Sequence, residues 1–521
     1  MKISIESLES VKDAAAKAAQ SLKGTEYYYS DVRIEVSEGK GASALNGNVK
    51  GAAEDYGIRA GVRVYAKQNG IIAAGHAGKS LGDKEFGNIG KTLKELLAVA
   101  GKRAKLNAVQ KAAMKKKAGF FGKMIASSEL ADEPVHVDAW KAGFKKSPLD
   151  MSLEDSIERT EKISADVGKV KGIVSNSIGI STGMFRKVFA SSEGSLIDQT
   201  WPITEAFVYV AAKGKGLETF YEWIGNWKGL ELLEGENSFG KSAEDFAEYL
   251  AEGTVEVSNA PVMKTTEKPV TVITDPWFNA LLSHEVTGHP SEADRALKKE
   301  GAWAGRAWWF NSLEDNMFGK RVGSENFTVF SDPSLDGYGR YKYDDEGVLA
   351  KKVVHIDKGI LNEFLNSRET AHILGKKPNG GMRAMSAEDV PLIRMNNTAI
   401  AGGDWKKDEL FADTKDGYYV VGLKTPGIGE TRQNFKITCW KLYKIENGEV
   451  GQLYRQGGIT SDSPTYFKSV DAAANDFTLF NLPNCGKGTP MQTMRVGNGG
   501  PHLRGKAVVS GSHEQGSGGV V

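Results

Sequence analysis

The run His284-Glu285-Val286-Thr287-Gly288-His289-Pro290 sets two imidazoles and a carboxylate close together in a chain that has only eight histidines. Imidazole is the commonest metal ligand and a neighbouring carboxylate can move a proton, so these residue types point to metal-assisted chemistry. The pattern is close to the HExxH zinc-binding helix, but its histidines are five positions apart instead of four. In an ideal helix, positions i and i+4 differ by about 40° around the axis, whereas i and i+5 differ by about 140°. An unbroken α-helix therefore cannot aim both rings at one ion. Gly288 accepts unusual backbone angles and Pro290 disfavours the α conformation at His289. The sequence predicts that the helix ends between the two histidines or opens there into a π-type bulge, which brings i and i+5 toward one face.

Zinc takes at least three protein ligands and, at a catalytic site, keeps a further position for water. Downstream candidates for the remaining ligands are Cys485, in Asn484-Cys485-Gly486-Lys487-Gly488, and His502, in Gly499-Gly500-Pro501-His502. Glu292 and Asp294 are nearer and could ligate or support the ligands from outside. A Cys485–His502 pair could instead form a nucleophilic thiolate site, although a soft thiolate beside two imidazoles suits zinc better. Cys439 alternates with Phe435 and Ile437, as in a half-buried strand, and reads as packing. His76, His136, His355, His372 and His513 have no ligand-like spacing. Gly486-Lys487-Gly488-Thr489 lacks the upstream glycine of a phosphate-binding loop.

The elements that must position these groups can be read around them. Residues 270–274 alternate as a strand, Asp275 is a helix N-cap with Pro276 at the first helical position, and the helix continues through Leu282. Upstream, Leu8, Val11, Ala15, Ala18 and Leu22 repeat at helical spacing before Gly24, and Val32, Ile34 and Val36 signal a strand. Phe86 to Leu97 returns to helical period, Ser152 to Asp155 forms a capping box, and residues 243–250 read as helix. Downstream, Lys358-Gly359 and Asn447-Gly448 sit between apolar alternations as hairpin turns. The fold class is α+β: a mixed α/β amino-terminal domain over 1–255, then a β-rich carboxy-terminal domain over 256–521 that carries the metal-binding helix. Residues 101–124 hold eight Lys or Arg and no acid. They read as a solvated, helical basic insertion, not as a nucleic-acid arm.

Composition narrows the function further. A net charge of +1 gives no overall field for nucleic acid or anionic membranes, and no apolar run approaches the length of a membrane span. Glu6, Glu9 and Asp13 interrupt any signal-peptide core, and two cysteines give little reason for a structural disulfide. The expected compartment is the cytoplasm, with no nucleic-acid and no membrane partner.

The stretch from Leu282 to Asp294 resembles the HExxxH motif of the TldD/PmbA family of zinc metallopeptidases. Cys485 to Gly488 and Val496 to Pro501 resemble that family's carboxy-terminal segment. Tyr343 to Val348, Ile356 to Leu361, Arg394 to Thr398 and Ile445 to Val450 also resemble stretches of the family, in the expected order, while the amino-terminal half fits more loosely. Residues 101–124 look like an addition, and Gly427 to Phe435 is less glycine-rich than the family's run. The resemblance implies that Cys485 is the third zinc ligand with His284 and His289, and that Glu285 is the general base for water attacking a peptide bond. It also implies unfolded peptides as substrates and a dimer, either with a sister subunit lacking the motif or with a second copy. The competing expectation is a non-catalytic peptide-binding scaffold whose metal site is closed by a fourth ligand, His502 or Glu292. No substrate-binding residue can be named from the sequence.

Overall fold

Long alternating strands dominate both halves of the computed structural model, which describes residues 4–23, 25–117, 127–300 and 306–511. Tyr27–Leu45 and Asn48–Gln68 form an antiparallel hairpin turned by Asn46 and Gly47, both at positive φ (51° and 75°). Two such residues match the twist of the paired strands. Ile71–Ser80 extends this pair on one side, and Ile173–Ser191 followed by Leu196–Lys213 on the other. Val137–Lys141 runs parallel to the start of Leu196–Lys213, and Leu217–Asn226 antiparallel to the rest of it.

The two faces of this sheet differ as the period of two requires. Val32, Ile34 and Val36 pack with Leu8, Val11, Leu93 and Leu97. The alternate residues Asp31, Arg33 and Glu35 are also buried, because they face the second half of the chain: Arg33 Nη1 donates to Asp389 O (3.0 Å).

Several expectations change in detail. The opening helix begins as a 3-10 segment, Ile5–Val11, before Lys12–Gln20 becomes α-helical; Gly24 lies outside the described residues. The basic run is not a separate element. It continues one helix, Ile89–Lys117, in which Ala100, Gly101, Ala104 and Ala108 are buried against the sheet while the lysines face outward. Its last residues, 118–124, lie outside the described residues. The helix expected over 243–250 is Ala243–Asn259 and passes through Gly253. A Cβ on Gly253 would lie 2.4 Å from Trp440, so glycine there lets the helix rest on the second half.

In the second half, Val270–Thr274 lies between Asp416–Ile428, which runs parallel to it, and Leu503–Ser510, which is antiparallel. A second sheet has Thr478–Lys487 at its edge, then Gln492–Gly500, Asn397–Ile400 and Val329–Ser331. Both expected hairpin turns form, with positive φ at Lys358 and Gly359 (44° and 79°) and at Asn447 and Gly448 (53° and 85°). The model thus has the α+β architecture. Among the described residues no helix is long and apolar enough to cross a membrane.

Candidate metal centre

Asp275 caps the helix as its residue type requires, with Oδ1 accepting from Phe278 N (2.6 Å) ahead of Pro276–Leu282. The helix then widens into a π-turn, Ser283–Gly288, followed by a 3-10 turn, His289–Ser291. This is the bulge that the five-residue spacing demanded. Gly288 permits it: a Cβ there would lie 2.0 Å from Met395 Sδ, in a buried contact.

The widened turn brings both rings to one place. One nitrogen each from His284 and His289 and the Cys485 sulfur lie within 4.8 Å of one another, and all three residues are buried. His289 Nε2 is 3.7 Å from Cys485 Sγ. The outer nitrogens are fixed from behind. Asn498 Nδ2 donates to Thr398 O (2.9 Å), which leaves Asn498 Oδ1 to accept from His284 Nδ1 (3.0 Å). Glu292 Oε2 accepts from His289 Nδ1 (3.2 Å). Both rings therefore turn Nε2 toward the cluster, the arrangement by which outer partners orient metal-binding histidines.

Electrostatics suit the same use. Burial alone would raise the Cys485 thiol, but His284, His289 and the Arg394 guanidinium hold it well below its ordinary range. Burial works against charge on His284, yet the Cys485 thiolate, Glu285 and the Asn498 bond lift it to about 9. Two imidazoles and a thiolate are a donor set that zinc accepts. Glu285 sits beside them; burial raises its carboxyl, but His284, Arg432 and His289 outweigh that and lower it.

The remaining candidates have other roles. Glu292 is occupied by His289, Arg295 (2.7 Å) and Lys487 (3.1 Å). Asp294 accepts from Lys487 (2.7 Å), so this wholly buried lysine ties the Cys485 strand to the segment after His289. His502 is turned away, with Nδ1 at 2.5 Å from Asp476 and Nε2 at 3.0 Å from Tyr419 Oη. Its expected parts, as closing ligand and as thiolate partner, both fall. Cys439 is buried in the strand Asn434–Glu446, and burial pushes its thiol up to about 12. His355 is buried on Ser331 Oγ (2.7 Å) and Glu363 O (2.9 Å); His513 lies outside the described residues. Sequence reasoning missed Asn498, Arg394 and Arg432. Asn498 and Arg394 fall in stretches noted for their resemblance, but nothing local marks Arg432.

The buried cluster of two histidines and a cysteine beside a glutamate is a donor set able to hold a metal ion. Residues 266–511 match the model of the PmbA/TldA metallopeptidase C-terminal domain, and residues 146–254 that of the PmbA/TldA metallopeptidase central domain. A metalloprotease of Methanocaldococcus jannaschii is 30% identical over 492 residues, spanning 92% of this chain and 97% of that one. A metalloprotease of Methanothermobacter thermautotrophicus is 31% identical over 374 residues, 71% of this chain and 76% of the relative. A zinc metalloprotease TldD homolog of Saccharolobus solfataricus is 29% identical over 373 residues, covering 70% and 78% of the two chains. Among solved structures, a Thermotoga maritima protein superposes with a TM-score of 0.72 at 13% identity, over 96% of this chain and all of that one. TldE from Thermococcus kodakarensis gives 0.67 at 17% identity, over 97% and 100%. The chain belongs to the PmbA/TldD metallopeptidase family.

Proposed function

We propose that this chain hydrolyses peptide bonds in unfolded, extended peptides, with a zinc ion held by His284, His289 and Cys485 and with Glu285 as general base. The observation that carries the reading is the convergence of one nitrogen from each histidine and the cysteine sulfur in a buried cluster next to Glu285. A zinc ion on three protein ligands keeps a position for water, lowers the pKa of that water and polarises a carbonyl. Glu285 accepts the proton of the attacking water as the new C–O bond forms, and passes it to the amine as the C–N bond breaks. Asn498 and Glu292 hold the imidazoles in the tautomer that leaves Nε2 free.

Among the described residues, the strand that carries Cys485, Thr478–Lys487, pairs on one side only, with Gln492–Gly500. Its other edge supports reading the substrate as an added strand recognised largely through its backbone. The scaffold alternative needs a fourth protein ligand. Among the described residues no further His, Cys, Asp or Glu joins the mutual 4.8 Å group, and His502 and Glu292 are engaged elsewhere. The same reading places the protein in the cytoplasm and in a dimer, with itself or with a sister subunit, which sedimentation of the purified protein checks.

The test is elemental analysis with an unfolded-peptide cleavage assay on the wild type and on Glu285→Ala. The expected result is one zinc per chain in both and cleavage by the wild type alone. Carefully prepared protein without metal would overturn the site. Zinc without cleavage by either protein, alone or in its dimer, would favour the scaffold.

A further inference from the structure

The turn between Asp416–Ile428 and Asn434–Glu446 carries Arg432 at φ 63°, a conformation that non-glycine side chains rarely take. The surroundings enforce it: Arg432 N donates to Gly429 O (2.9 Å), Ser463 Oγ donates to Arg432 O (2.9 Å), and Trp308 N donates to Thr431 O (2.9 Å). So held, the side chain is 8% exposed and its Nη1 ion-pairs with Glu285 Oε2. Its Nε is buried without an acceptor. This rarely populated backbone aims a guanidinium with an unmet donor at Glu285, and such strain concentrates at functional sites.

We propose that Arg432 is a catalytic residue that donates to a negatively charged carboxyl-derived oxygen of the bound peptide while keeping Glu285 in place. This rests on the peptide-hydrolysis reading. When water adds to the scissile carbonyl, the C=O π pair moves onto oxygen. A fixed cation in a buried site stabilises that oxyanion more than it does the neutral carbonyl. The guanidinium offers five N–H donors in a rigid fork; with Nη1 on Glu285, the buried Nε is the donor left without an acceptor. Two oxygens share this chemistry, the oxyanion at the scissile carbon and the terminal carboxylate of a peptide cut near its end.

The experiment compares zinc-loaded full-length wild type with Arg432→Gly and Arg432→Lys. Glycine removes the guanidinium and also accepts the positive φ, so Arg432→Gly should keep its zinc and its fold, melting lower only by what Glu285 loses with its cation. Its kcat/KM should fall by about 10²–10³. Calorimetric affinity for a phosphinic peptide, a tetrahedral anion, should weaken by a similar factor, and Arg432→Lys should lie between. An equal loss in kcat on free-acid and amidated peptides identifies the scissile oxygen; a loss in KM confined to free acids identifies the terminal carboxylate. Either supports the proposal. Cleavage and phosphinic-peptide binding that both stay within about threefold of wild type overturn it. So does loss of zinc from Arg432→Gly, which would make the residue structural. If the wild type cleaves nothing, the hydrolysis reading fails separately, and equal phosphinic-peptide binding by wild type and Arg432→Gly overturns the role of Arg432 on its own.

Discussion

Asn498 decides which nitrogen of His284 faces the metal cluster, because its own amide is oriented by the bond from Nδ2 to Thr398 O. Asn498→Ala should therefore weaken zinc binding by about 10–100-fold through a free-rotating His284, with little change in the melting temperature of the metal-free protein. A competition titration against a chelator measures it, and unchanged affinity would show that helix packing alone orients the ring. At this scale the sequence is informative where residues are near each other. His284, Glu285 and His289 are legible from spacing and side-chain chemistry. Cys485 needed the resemblance, since 196 residues separate it from His289. Arg432 lies 147 residues from Glu285, in a turn whose Thr-Arg-Gln sequence carries no signal for positive φ.

The π-turn is the element on which the site depends, and Gly288 is its weak point. A methyl group there meets Met395 Sδ at 2.0 Å, and overpacking of a buried contact costs about 1–3 kcal/mol. Gly288→Ala should lower both stability and zinc affinity, and adding Met395→Ala should return part of each. Strictly additive losses in thermal unfolding would show that this contact is not the cause. The preceding cap makes a separate prediction. Burial lifts the Asp275 carboxyl to about 6. Between about pH 4 and pH 6 the native state thus keeps a proton that the unfolded chain has lost; stability falls as pH rises through that window and stays lowered above it. Asn keeps an Oδ1 to accept from Phe278 N (2.6 Å) and Gly422 N (3.1 Å). Asp275→Asn should add up to about 3 kcal/mol to the unfolding free energy at pH 7.5, shrinking toward nothing by pH 4. A gain of equal size at both pH values in urea titrations would exclude the buried charge as its source. Caps and hairpin turns were legible because their chemistry is local. The parallel pairing of Val270–Thr274 with Asp416–Ile428 was not, because it depends on packing between distant segments.

The whole molecule joins its halves through buried polar contacts as well as apolar ones, and this was the least legible level. Tyr343 to Val348 was visible as a motif, but the destination of Glu346 lies 283 residues earlier, at Arg63. Arg63 donates to Asp31 Oδ2 (2.9 and 2.7 Å) within the first sheet and to Glu346 Oε1 (2.9 Å) from the second half. The three side chains are 4%, 0% and 1% exposed. Separately, Glu222 of the first sheet accepts from Trp277 Nε1 (2.7 Å) on the helix that leads to His284. Halves tied in this way should unfold together. Arg63→Met leaves two buried carboxylates without their shared cation, a loss of roughly 3–5 kcal/mol. It should move zinc release and the loss of far-ultraviolet dichroism to lower urea by the same amount, with the two signals coincident in wild type and variant alike. A zinc centre that outlasts the first dichroism transition in Arg63→Met would show instead that the second half holds its metal without the first.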